Sequence, residues 1–84
     1  MRTFRLLIEG HDVTGSFLVT CIVRADSLEL ARAIVVEKSA LAGWTIAAWD
    51  ETEDLGAADV GSHPGIASQT GRAYFDVPGA PGEN

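Results

Sequence analysis

The sequence is short of cysteine, of basic residues and of long apolar runs, and each shortage excludes something. Cys21 is the single cysteine among 84 residues. No disulfide can therefore close within the chain, and a lone thiol suits a reducing compartment better than secretion. The expected location is the cytoplasm. Lysine and arginine number 6 against 12 aspartates and glutamates, a formal net charge of −6. That balance opposes attraction to phosphate backbones and anionic lipid, so neither nucleic acid nor a membrane surface is an expected partner. No apolar stretch reaches the ~18 residues of a transmembrane helix. The N-terminal apolar run is short and stops at Glu9, without a signal-peptide core or a small-residue cleavage site.

Metal-ligand spacing is missing too. His11-Asp12 and His63 are far apart, Cys21 is on a strand, and no two of these candidates have the i,i+4 or C-x-x-C spacing of a zinc site. No cofactor is expected. A chain of this length forms one domain and buries only about 60% of the surface its unfolded form exposes. Small domains compensate with disulfides, a metal or association. Self-association is the compensation left.

Periodicity supplies the elements. Phe4, Leu6 and Ile8 alternate with Arg5, Leu7 and Glu9, the pattern of a strand with one buried face. Residues 10–15, bounded by glycines, read as a turn. Ser16 to Ala25 reads as a second strand, apolar on both faces and therefore central. The short linker makes the two an antiparallel hairpin. Asp26 is the expected N-cap of a helix, with Glu29 completing a capping box and Gly43 stopping it. Leu30, Ala31, Ile34, Val35, Leu41 and Ala42 project as its apolar stripe, with Val36 pointing outward. Residues 44–50 form a third strand, with Trp44 and Ile46 on one face and Trp49 on the other. Residues 56–71 read as a long flexible loop, 72–77 as a short last strand, and 78–84 as a disordered tail.

The expected fold is α+β: an antiparallel sheet of three or four strands with one helix on one face, in the order β-β-α-β and an optional further β, over residues 1–77. The second sheet face is left uncovered, and Leu7, Leu18, Ile22 and Trp49 are its expected apolar residues. An open apolar face on a small protein meets a partner, which can be a second copy.

Three short segments resemble a layout shared by small uncharacterised bacterial β-β-α-β proteins. Ile8-Glu9-Gly10 is similar to the end of their first strand. Residues 17–25 are similar to a second strand of the Gly-Phe-Tyr-Thr-Thr-Arg type, and Gly71-Arg72-Ala73-Tyr74-Phe75 to their last element. Cys21 stands where that pattern has arginine, and Ser16 where it has glycine. The resemblance implies a fold and no activity.

Candidate chemistry is sparse. Cys21, mid-strand among apolar neighbours, reads as a small buried hydrophobe. The run Asp50-Glu51-Thr52-Glu53-Asp54 does not match a calcium loop and reads as a solvated strand end. Two functional readings remain. In the first, the chain is a non-enzymatic protein-interaction module. Trp49 and Tyr74 would anchor a protein partner, steered by Asp50, Glu51, Glu53 and Asp54. In the second, a small molecule binds or reacts in a cleft formed by two copies, lined by Trp44, Trp49 and Tyr74, with Asp50 or Glu53 as acid–base group. The first is favoured, because no convergent polar constellation is legible.

Overall fold

The computed structural model describes residues 1–76. The expected tail at 78–84 and Val77 lie outside them. The elements are β1 (Arg2–His11), β2 (Ser16–Ala25), α1 (Leu28–Ala42), β3 (Thr45–Ala57), β4 (Gly65–Gln69) and β5 (Ala73–Asp76). Strands run in the order β3-β1-β2-β4, and β5 shares the outer edge of β2 with β4. Every pairing is antiparallel. The protein is thus an α+β fold with one helix on an antiparallel sheet, and the sheet has five strands.

β1 and β2 form the expected hairpin, in unbroken register from Arg2 opposite Ala25 to His11 opposite Ser16. Strict alternation sends Phe4, Leu6 and Ile8 of β1 and Phe17, Val19, Cys21 and Val23 of β2 to one face, where all are buried. Each large side chain buried there contributes about 1.5–3 kcal/mol. The partly buried residues Leu7, Leu18, Thr20 and Ile22 occupy the other face.

The helix covers the first face, but its cap and contact line differ from expectation. Ser27, not Asp26, is the N-cap, and its Oγ accepts from the Leu30 amide at 3.2 Å. Gly43 ends the helix in the left-handed region at φ 81°. The buried helical residues are Ala31, Val35 and Ser39. Spaced four apart, they form one ridge against the sheet. Two of the three are small, which lets the helix sit close. Leu30 and Leu41, expected in the stripe, are 52% and 81% exposed, while Val36 points outward as expected. Ser39 satisfies its hydroxyl by donating to the Val36 carbonyl at 2.8 Å.

β3 also departs from expectation, for a reason of counting. Trp49 lies opposite Ile8, Ala48 opposite Glu9 and Ile46 opposite Gly10, so Ala47 is an extra residue. One inserted residue reverses the alternation. Trp44, Ile46 and Trp49 consequently all pack on the helix face, and Trp49 leaves the open face where alternation alone would place it. β3 continues to Ala57, past the expected end at 50, so the acidic run lies within the strand and not only at its end. Partner backbone on β1 outweighs the poor strand propensity of aspartate and glutamate.

Within the expected 56–71 loop, Gly65–Gln69 is a strand on β2. Its glycine, alanine and serine carry little strand signal, and the pairing is set by the free edge of β2. β4 and β5 cover that edge end to end. At the join, Thr70 donates its amide to the Thr20 carbonyl at 2.9 Å and accepts the Thr20 amide on its Oγ1 at 2.9 Å. A side-chain oxygen thereby replaces a missing strand carbonyl. No helix among the described residues is long and apolar enough to cross a membrane.

Candidate functional site

The face opposite the helix has a centre and two ends. Leu7, Leu18, Thr20 and Ile22, all partly buried, make the centre. The register sets the border. Arg24 is opposite Thr3 and Arg5 is opposite Ile22 at one end, while Glu9 is opposite Leu18 at the other. β3 adds Glu53 beside Arg5 and Glu51 beside Leu7. A shallow groove of about 580 Å³ runs along this surface between Arg5, Leu7, Thr20, Glu51, Thr52 and Glu53.

The acidic run is less free than its composition suggests. Glu53 Oε1 lies 2.7 Å from an Arg5 guanidinium nitrogen, and Asp54 Oδ2 lies 2.7 Å from Arg2 Nε. The Arg2 hydrogen bond holds the Asp54 carboxyl below its ordinary range, assisted by the Gly56 amide. Asp50 and Glu51 have no ion-pair partner among the described residues and carry the uncompensated charge of the strand.

The expected site residues do not converge. Trp49 is on the helix face, with the Arg32 guanidinium 5.3 Å from its ring centroid. Glu51 and Glu53 border the open face. Asp50 occupies an irregularity of the register between Trp49 and Glu51, and Asp54 lies opposite Phe4. Tyr74 is across the sheet on β5, opposite Phe17. A second groove, of about 600 Å³, lies between the end of α1 and β3, with Val36, Ala40, Trp44, Ile46 and Trp49 in its wall. Tyr74 does not line it, so the expected aromatic trio is split.

Two sets of residues were not singled out from sequence. One is the border pair Glu9 and Arg24. The alternation of β1 and β2 places both on the open face, and that signal was present in the sequence. The other is a cluster around Asp12, which closes the hairpin turn by accepting the Thr14 and Gly15 amides on Oδ1 at 2.8 Å and 3.2 Å. Its Oδ2 accepts from the Tyr74 hydroxyl and from Arg72 Nη1. The Tyr74 hydrogen bond leads the other donors in holding this carboxyl down at about 2. Phe17 lies beneath, with the Tyr74 ring edge-on at 5.3 Å and the Trp44 ring edge-on at 5.2 Å. The cluster fastens β5 to the hairpin turn and uses the polar end of Tyr74 within the chain.

Chemically, the open face offers apolar contact with charge at its margins. Cys21 faces the core, and burial pushes its thiol up to about 11, so it is protonated packing at neutral pH. His11 and His63 are both exposed. No family model, curated protein or solved structure matches the chain. The resemblance in its short motifs rests on those motifs alone.

Proposed function

We propose that the chain is a small non-enzymatic interaction module whose working surface is the open sheet face, with the Asp50–Glu51 part of the acidic strand at its border. The observation that carries this reading is the alignment of Leu7, Leu18 and Ile22 around Thr20 on a face that no described element covers. The core on the other face is complete without them. Apolar side chains held on a rigid sheet and rimmed by charge are the usual make-up of a protein-binding surface. Trp49 packs on the helix face and lines the groove there, so it is not part of this surface.

The test is capture of proteins from host lysate by the tagged chain and by its Leu18→Glu and Trp49→Ala variants, at low and moderate salt. The native chain and Trp49→Ala are expected to retain the same protein, and Leu18→Glu to lose it. An identical set retained by Leu18→Glu overturns the choice of surface. A second reading rests on the groove beside Trp44 and Trp49, which has room for a small ligand. A ligand there would quench tryptophan fluorescence and raise the melting temperature, and Trp49→Ala would abolish both effects.

A further inference from the structure

The charges on the open face are sorted along the strands. In the direction of β1, the face begins with Arg24, opposite Thr3, and Arg5, which is paired with Glu53. It ends with Glu51, beside Leu7, and Glu9, opposite Leu18. Since the Arg5–Glu53 pair cancels, one end is left positive through Arg24 and the other negative through Glu51 and Glu9. None of these three has an ion-pair partner among the described residues. From Thr3 to Glu9 is six residue steps, about 20 Å along a strand. The apolar centre lies between.

We propose, building on the module reading, that this face is covered by a second copy of the same chain, stacked face to face and turned end for end. A two-fold axis in the plane of the interface and across the strands sets Arg24 of one protomer near Glu9 of its partner. It also brings the Arg5–Glu53 pair of one protomer over Glu51 of the other, so the Arg5 guanidinium stands near both carboxylates. Symmetry makes every such contact twice. An axis along the strands would set like ends together, Arg24 near Arg24, and is disfavoured. A uniformly basic protein would meet Glu9 and Glu51 well but would press its charge against Arg24. The self-complementary copy is the occupant that satisfies both ends.

Size agrees. The sheet is four strands wide along most of its length, with central strands ten residues long, so its face measures at most about 34 Å by about 19 Å. Two such faces bury about 1,300 Å², within the ~1,200–2,000 Å² of stable, specific interfaces. Aligned stacking at about 10 Å makes the sheets the halves of a sandwich with a second apolar layer.

The experiment is sedimentation velocity across micromolar to submillimolar concentrations. It uses the native chain and the single variants Glu9→Arg and Arg24→Glu, with circular dichroism to show that each variant is folded. The native chain is expected to be dimeric. Each variant sets like charges against one another at both contacts and should dissociate at least about tenfold more readily. Mixing the two variants is the decisive arm. A heterodimer of Glu9→Arg with Arg24→Glu restores opposite charges at both contacts, so the mixture should re-form dimers in one-to-one ratio. A native chain that stays monomeric overturns the inference, as does a dimer indifferent to both variants or a mixture that stays monomeric. If the native chain is monomeric yet still captures a foreign protein that Leu18→Glu loses, this inference falls and the module reading stands. If Leu18→Glu alters neither capture nor dimerisation, both fall.

Discussion

Asp12 links parts of the chain that are far apart in sequence. It organises the turn after β1 and receives Arg72 and Tyr74 from the last described segment. Its pKa when folded, about 2, lies below the ordinary aspartate value of about 3.9. The unfolded chain therefore binds a proton more readily, and Asp12 stabilises the fold fully above about pH 4. That contribution is lost as pH falls through about 2. Melting curves should show Asp12→Asn less stable than the native chain at neutral pH, with the gap closing between about pH 4 and about pH 2. A constant gap across that range would assign the effect to lost shape instead of charge. Gly10 is decisive for a different reason, the closeness of its neighbours. A methyl group there would lie 2.6 Å from Trp44 Cε3 and 3.0 Å from Phe17 Cζ, so a core ring would have to move. Gly10→Ala should cost about 1–3 kcal/mol and alter the near-ultraviolet dichroism of Trp44. The sequence showed Gly10 and Asp12 as turn residues. It could not show their second roles, because Trp44, Arg72 and Tyr74 lie from 34 to 62 positions away.

At the scale of elements, the helix separates what hydrophobicity indicates from what packing selects. Counting apolar residues favours a stripe through Leu30 and Leu41, yet the sheet is met by Ala31, Val35 and Ser39. The helix limits were legible, since Gly43 and a capping residue near 26–27 mark them. The angle at which it rolls onto the sheet was not, because it depends on side chains from β2, β3 and β4. Val35 is 1% exposed, so Val35→Ala should cost about 2 kcal/mol. Leu41→Glu, at an exposed site, should change stability by less than about 0.5 kcal/mol. Ser27→Ala should cost about 1 kcal/mol by removing the cap. Urea titrations of the three variants check this ordering, and equal costs at Val35 and Leu41 would mean the helix is rolled the other way. The same limit explains Trp49. Alternation was the right rule for β3, and the insertion of Ala47 that breaks it is set by pairing with β1.

At the scale of the whole molecule, the described strands leave one long free edge. β1 and β2 are interior, β4 and β5 together close the outer side of β2, and β3 presents its outer edge unpaired among the described strands. An unpaired edge of 13 residues is a template for adding further strands, and unlimited association is its hazard. β3 carries two recognised protections, register irregularities at three places and the carboxylates Asp50, Glu51, Glu53 and Asp54. The acidic run was visible in the sequence as charge, but its place on an edge follows only once the strand order is known. Replacing Asp50, Glu51 and Glu53 together by threonine raises strand propensity and removes three negative charges. The triple variant should stay folded and yet develop thioflavin fluorescence and turbidity on incubation, where the native chain stays clear. Lower net charge alone would also favour clustering. The control therefore replaces Glu29, Glu37 and Asp59 by threonine, away from the β3 ladder. If both triple variants aggregate alike, the charge protects through solubility. If only the β3 variant does, the acidic run is an edge guard.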